Sequence, residues 1–268
     1  MAIDTNRLYT DFGNAAQDYA THRAGFPENF FDELVLRRYV SPGQQVLDLG
    51  TGTGTLAIGL AERGLYVVGL DRSADMIAQA QQIPTPSDRV TWTVARAEET
   101  GLADNSVDVV IAGQCWHWFD PERAAAEVKR VLRPGGTLII ARFDWVNRPA
   151  QVVEASLGLV DAWCPRTRNP WYSVPDALQY PTVLASLIRA GFGPTHDAFS
   201  LWVDVHYTHE AWRGRMRASA PIGGTLDAAG VAGYDRALSD LLATVYADDP
   251  VLSVPHRAFA CVVRSASV

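Results

Sequence analysis

Short apolar runs alternating with helical patterns from Gln45 to Arg142 predict an α/β protein built on a mostly parallel sheet with helices on both faces. Two further observations point the same way. Val46-Leu47-Asp48-Leu49-Gly50-Thr51-Gly52-Thr53-Gly54 is an apolar strand that closes on an acidic residue and a glycine-rich turn, and Asp71 ends the next apolar run about 20 residues on. With 268 residues, 48% of them hydrophobic and 20% charged, the chain is long enough to bury a core as a single domain, 1–268.

The strands expected are Gln45–Leu49, Tyr66–Leu70, Val90–Val94, Val107–Ala112 and Thr137–Ala141. Each leads through a turn into a helix-like stretch, except Val90–Val94, which enters a longer loop around Gly101–Asp104. The clearest helix start is Asp120-Pro121-Glu122, an N-cap acceptor before a proline at the first helical position. Arg133-Pro134-Gly135-Gly136 stops that helix, and Ala124, Val128, Val131 and Leu132 recur at helical spacing, so one face packs on the sheet. Pro181 to Gly191, with Leu184, Leu187 and Ile188, reads the same way. Residues 144–180 are rich in Trp, Pro and Arg without a clean period and read as an insertion. Phe199–Tyr207 and His256–Val263 are expected as late strands, separated by a helical segment from Thr208 to Asp249. The expected core is therefore about 36–144, 181–207 and 256–268, with a helical cap from 1–35, 145–180 and 208–255.

A net charge of −7 argues against a nucleic-acid partner, because neutralising a phosphate backbone needs a basic face. Arg213, Arg215 and Arg217 cluster in sequence, yet alternate residues on a helix point different ways. Three cysteines, Cys115, Cys164 and Cys261, are far apart and show neither metal-ligand nor redox spacing, which favours a reduced, cytoplasmic setting. The polar stretch Met1–Thr10 carries no run suited to a signal peptide or a membrane span, so neither export nor a membrane partner is expected. No His/Cys/Asp/Glu group has ligand spacing, so no metal is expected.

Glycines at 50, 52 and 54 let the backbone approach a ligand and adopt conformations that a β-carbon forbids. A carboxylate at Asp71 is placed to accept hydrogen bonds from ribose hydroxyls. Nicotinamide enzymes share both features. The spacing here is G-x-G-x-G, however, in place of the G-x-G-x-x-G that aims a helix N-terminus at a pyrophosphate, and Asp48 puts negative charge where a diphosphate would be repelled. A cationic sulfonium ligand suits this loop better.

Beyond the loop and Asp71, three runs complete a pattern: Ala97-Glu98 before Leu102-Ala103-Asp104-Asn105-Ser106-Val107-Asp108, then Gln114-Cys115-Trp116-His117-Trp118-Phe119-Asp120, then Val131-Leu132-Arg133-Pro134-Gly135-Gly136. Over about residues 15–145 the chain resembles the class I S-adenosylmethionine-dependent methyltransferases, and its His-Trp-Phe run is similar to that of the trans-aconitate methyltransferase-like small-molecule subgroup. The resemblance implies a Rossmann-like seven-stranded sheet with its last strand antiparallel. It implies S-adenosyl-L-methionine as cofactor, with Gly50, Gly52 and Gly54 around the methionine part, Asp71 on the ribose, Met76 packing on the adenine, and Ala97 with Glu98 along its polar edge. Arg96 departs from the family, many of whose members carry an acidic residue there to accept from the adenine amino group. Tyr19 and Arg23 resemble the N-terminal segment that covers the cofactor, Arg23 as a donor to its carboxylate. Asp48 and Gln114 complete the expected cofactor-binding set.

His117 stands just past the carboxyl end of a central strand, where open α/β sheets form their crevice, and is the candidate acid/base residue. Methyl transfer from a sulfonium is a direct displacement, so alignment dominates and a neutral imidazole need only remove a proton. Trp145, Trp163, Trp171, Tyr172, His209, Trp212 and the arginines from Arg166 to Arg217 fall in the two insertions and are candidates for a lid that selects a small-molecule substrate. The expected reaction is methyl transfer to an oxygen or nitrogen of a small metabolite or natural-product intermediate. The rival readings are an NAD(P)-dependent oxidoreductase, which leaves the His117 run and the Pro134-Gly135-Gly136 turn unexplained, and a non-catalytic cofactor-binding protein of the same fold.

Overall fold

The computed structural model describes residues 24–85, 88–148, 151–164 and 187–265. One sheet runs through it, made of β1 (Gln45–Leu49), β2 (Tyr66–Asp71), β3 (Val90–Val94), β4 (Val107–Gly113), β5 (Leu132–Trp145), β6 (Phe192–Thr208) and β7 (Val251–Ser265). Their order is β3-β2-β1-β4-β5-β7-β6. The first five strands pair in parallel, and β7 lies antiparallel between β5 and β6. The strand order reverses between β1 and β4, which opens a crevice at the carboxyl ends of those two strands.

Alternation along β1 places Val46 in one core and Leu47 and Leu49 in the other, all fully buried, as a sheet covered on both faces requires. On the first face sit α1 (Glu28–Leu36) and α2 (Thr55–Glu62), through Phe30, Phe31, Leu34, Leu56 and Leu60. A Cβ added at Gly59 would fall 2.4 Å from Phe31 Cζ, so the glycine is what lets α2 accept that ring. The sequence reading placed residues up to 35 in the cap; α1 belongs instead to the layer covering the sheet, because Phe30, Phe31 and Leu34 form one apolar stripe that only the sheet can bury. After β2 comes α3 (Ala74–Ala80), and the opposite face carries α4 (Pro121–Val131), capped by Asp120 accepting from the amides of Glu122 and Arg123 at 3.1 Å each. Of the helix expected over Pro181–Gly191, 187–189 are helical and Leu187 is buried in the second core, while Leu184 lies outside the described residues.

The three late strands outrun their sequence signals. β5 and β7 stay in register from Thr137↔Arg264 to Trp145↔His256, and β6 and β7 continue to Thr208↔Val251. Apolar alternation marks only the part that helices cover on both faces, whereas the extension is held by ladder hydrogen bonds and by the cap. Within the stretch read as an irregular insertion lies α5 (Val152–Trp163), burying Val152, Val153, Ser156 and Val160 at helical spacing. The expected 208–249 helical segment divides into α6 (His209–Arg217) and α7 (Ala228–Val245) around Pro221, Gly223 and Gly224, with Thr208 and Asp227 as their N-caps.

Helices α5, α6 and α7 close over the projecting ends of β6 and β7 as a third core centred on Trp212, Met216, Tyr234, Leu238 and Val254. Trp212 Nε1 donates to Ser156 Oγ at 2.9 Å. Arg213 and Arg217 pair with Asp235 on one side of α6, and Arg215 points the other way, its guanidinium 4.3 Å from the centre of the Trp145 ring.

His256, 2% exposed, sits where this third core meets the sheet. Its Nδ1 lies 2.9 Å from the Val254 carbonyl oxygen, which can only accept, so Nδ1 carries the proton and Nε2 accepts from the Tyr207 hydroxyl at 3.3 Å. Burial pushes the imidazole down to about 4, the Val254 carbonyl opposes it, and Arg215 adds to the depression. The folded protein therefore binds fewer protons here than the unfolded chain between about pH 6.5 and 4, and stability from this group is complete above that window and lost by its lower end. Replacing His256 by Phe removes the linkage. In urea unfolding, the stability difference between the native protein and His256→Phe should shrink by about 3 kcal/mol from pH 6.5 to 4; a difference independent of pH would contradict the assignment.

Candidate active site

The loop after β1 is held by hydrogen bonds from both strands it joins. Thr51 donates its amide to Leu70 O at 2.9 Å and its hydroxyl to Asp48 Oδ2 at 2.6 Å, and Gly52 donates its amide to Asp71 Oδ2 at 2.9 Å. The other Asp71 oxygen accepts from the Ser73 amide at 2.9 Å, which starts α3. Gly50, Gly52 and Gly54 have φ of 62°, 58° and 85°, the left-handed region where a β-carbon is strained, and Gly54 enters α2 directly as its N-cap.

A cleft opens between this loop and β4. Asp48, Gly50, Thr51, Thr53, Thr55 and Leu56 line it from one side, Gly113 and Gln114 from the other, and Ala24, Phe26 and Ile83 border it. Gln114 adopts φ 61°, a costly conformation for a residue with a β-carbon. It is held there at both ends, its backbone amide donating to Ala141 O at 2.9 Å and its side-chain amide to Phe143 O. Asp48 is 1% exposed. Burial pushes its carboxyl up to about 7, the Thr51 hydroxyl opposes this, and the nearby Asp71 charge reinforces it. Among the described residues no cationic side chain forms an ion pair with Asp48.

A methyltransferase-domain family model matches residues 47–140. An uncharacterized methyltransferase of Mycobacterium bovis is 38% identical over 159 residues, 57% of this chain and 63% of that protein. A demethylmenaquinone methyltransferase of Renibacterium salmoninarum is 35% identical over 175 residues, which span 64% of this chain and 70% of the relative. This chain belongs to the class I S-adenosylmethionine-dependent methyltransferases. Among solved structures, a provisionally named type II methyltransferase from Anaeromyxobacter dehalogenans superposes with a TM-score of 0.59 at 26% identity, covering 92% of this chain and 98% of the other. A phosphoethanolamine N-methyltransferase of Haemonchus contortus in complex with S-adenosyl-L-methionine shares the fold, with a TM-score of 0.54 at 18% identity, over 99% of this chain and 60% of that one. The chain spans about 63% of the length of the mycobacterial relatives it matches.

Within this member of the family, Asp48, Gly50 and Gln114 meet in one cleft; Gly52 and Gly54 belong to the same loop without lining it, and Asp71 is tied to that loop through the Gly52 amide. Met76 is buried in the first turn of α3, its amide donating to Ser73 Oγ at 3.3 Å. Ala97 is buried on the second core. Glu98 is committed elsewhere: one carboxylate oxygen accepts from the Asp120 amide at 2.9 Å and the other lies 3.6 Å from Arg96 Nε. Thr100 donates its amide and hydroxyl to Glu127 at 2.8 and 2.6 Å, so two carboxylates pin the loop after β3 against α4. His117 sits in a single 3-10 turn, Trp116–Trp118, with its ring 4.8 Å from that of Trp118, and does not itself line the cleft. Tyr19 and Arg23 lie outside the described residues, as do Arg166, Trp171 and Tyr172.

Sequence reasoning missed Thr51, Thr53 and Phe26 as cleft residues. The alternation of threonine with glycine in the loop was the available signal, since a short hydroxyl is suited to satisfying a buried carboxylate. Cys115 was also missed; its thiol lies 2.9 Å from Leu49 O and packs beneath Gly50.

A Cβ at Gly50 would meet Cys115 Cβ at 2.8 Å, whereas at Gly101, also at positive φ (74°), it would meet nothing within 4 Å. Gly101→Ala should cost about 1 kcal/mol from backbone strain alone. Gly50→Ala should cost about 1–3 kcal/mol more, because overpacking adds to the strain. Equal losses in denaturant unfolding would show that the loop is not packed on Cys115 as described.

Proposed function

We propose that this methyltransferase moves the S-methyl group of S-adenosyl-L-methionine to an oxygen or nitrogen of a small-molecule metabolite or natural-product intermediate. The observation that carries the cofactor assignment is the buried carboxylate of Asp48 in a cleft floored by the glycine loop, unmatched by a cation among the described residues. An anion taken out of water needs a positive partner, which a sulfonium or ammonium supplies and a nicotinamide dinucleotide's diphosphate opposes. When bound, the cofactor contributes a methyl group already activated for direct displacement. The protein's part is to bind, align and exclude water.

Gly50, Gly52 and Gly54 keep the loop free of side chains on the methionine side. Asp71 retains lone pairs for ribose hydroxyls after accepting from Gly52 and Ser73, since each carboxylate oxygen accepts twice. Met76 packs on the adenine, Ala97 borders it, and Glu98 shapes the adenine side through its hold on the Asp120 amide. Gln114, fixed by Phe143 O and Ala141 O, borders the methionine part from the β4 side. The family resemblance assigns Tyr19 and Arg23 to the cofactor as well, Arg23 as a donor to its carboxylate. His117, at the exit of β4, takes the acceptor's proton, and the run Gln114-Cys115-Trp116-His117-Trp118-Phe119 supports membership of the trans-aconitate methyltransferase-like small-molecule subgroup.

The Renibacterium salmoninarum relative is, by its name, a demethylmenaquinone methyltransferase, and Phe26 and Ile83 give the border of the cleft here an apolar character. Three buried free cysteines fit a reduced, cytoplasmic setting. Among the described residues no helix is long and apolar enough to cross a membrane.

Calorimetric titration with S-adenosyl-L-methionine, S-adenosylhomocysteine and NAD(H) tests this reading. Both sulfur compounds should bind, and Asp71→Ala should weaken them by roughly tenfold or more, the value of one or two charge-assisted hydrogen bonds. Binding of NAD(H) alone would transfer the protein to the oxidoreductases.

A further inference from the structure

We infer that Asp48 makes the cleft discriminate by charge between the sulfonium cofactor and its neutral thioether product, so that the preference for the cofactor depends on the ionisation of this one carboxyl. The inference rests on the cofactor assignment above and goes beyond it, assigning to Asp48 the role of releasing product as well as binding substrate.

Three observations on the same side chain support it. Asp48 is 1% exposed yet borders the cleft, so a ligand there and the carboxylate share a poorly screened environment. Among the described residues its protein contacts are neutral: the Thr51 hydroxyl at 2.6 Å from the loop, and the Ala57 amide from α2. From β4 the cleft receives Gly113 and Gln114, and from its border Ala24, Phe26 and Ile83, none of which ionises in its side chain. Among the described residues the charged group whose field reaches Asp48 is Asp71 at the end of β2, and it is an anion. These surroundings, burial first, raise the carboxyl into the neutral range.

Methyl transfer breaks the S–CH3 bond with its electron pair staying on sulfur, forms one bond from the acceptor's lone pair, and passes the positive charge to the acceptor, whose proton carries it away. The ligand beside Asp48 thereby loses one unit of charge, while its amino and carboxylate groups are unchanged. A carboxylate matched before transfer is unmatched after it. Near neutral pH the mismatch is relieved by proton uptake at Asp48 or by departure of the product, and both weaken product inhibition.

The test is calorimetric titration of the whole protein with S-adenosyl-L-methionine and, separately, S-adenosylhomocysteine between pH 6 and 8.5, in buffers of different ionisation enthalpy so that proton release is counted. Binding of the sulfonium compound below pH 7 should release a proton, and binding of the thioether should release clearly less. The affinity ratio in favour of the sulfonium compound should rise on the order of tenfold across the range, from one unit-charge interaction at partial screening. Asp48→Asn, which keeps shape and can still accept from Thr51, should flatten both responses; thermal unfolding establishes that it is folded. Asp48→Glu should retain a pH-dependent ratio if it folds. Equal proton release by the two compounds places Asp48 against their shared amino group and overturns the inference, as does a pH-independent ratio in the native protein. If neither compound binds at any pH, it is the cofactor assignment that has failed.

Discussion

Gly52 donates its amide to Asp71, Thr51 donates its hydroxyl to Asp48, and through these bonds the ends of β1 and β2 hold one loop over the point where the strand order reverses. The loop is short and rich in glycine, so it has little side-chain packing of its own and takes its shape from these carboxylates. Each anion is thus structural before it is functional. Asp71 orders the start of α3 through Ser73, and Asp48 sits at the floor of the cleft with a burial cost that a cationic ligand or a bound proton offsets. A site of this kind trades stability for affinity, in that charge kept out of water in the free protein is discharged on binding.

The remainder of the sheet serves to keep that loop fixed. Helices α1 and α2 close one face through Phe30, Phe31 and Leu60, and α4 closes the other through Ala124, Val128 and Val131. The loop after β3 packs Ala95, Ala97 and Leu102 against the second core, and ties itself to α4 through Glu98 and Thr100 as well. From the cleft a chain of ring contacts runs outward: Phe26 to Phe143 at 5.8 Å, Phe143 to His256 at 5.0 Å, and His256 to Tyr207 at 5.9 Å. Phe143 stands at the junction, with its carbonyl on Gln114 and its ring between the cleft and the cap.

Much of this was legible in the sequence because the signals are local. Alternation at Gln45–Leu49, the cap at Asp120-Pro121 and the glycine turn each depend on a few adjacent residues, and the structure places them as read. The length of β5, β6 and β7 was not legible, because ladder pairing with a partner distant along the chain leaves no period in the strand itself. Likewise α5 was hidden in a stretch rich in Trp, Pro and Arg, and α1 was assigned to the cap, because an apolar stripe declares that it is buried without naming the surface that buries it.

The site divides along the same line. Sequence alone determined that a glycine loop, a carboxylate at each of two strand ends and the His117 run exist on a parallel α/β sheet, since residue type and spacing suffice for that. Only the tertiary structure decided that Asp48 is enclosed without a cationic partner among the described residues, that Glu98 is spent on the Asp120 amide, that Gln114 is held at positive φ by β5, and that His117 sits in a single 3-10 turn against Trp118. Burial, countercharge and hydrogen-bond partners are properties of what surrounds a residue, and those neighbours come from strands and helices distant along the chain.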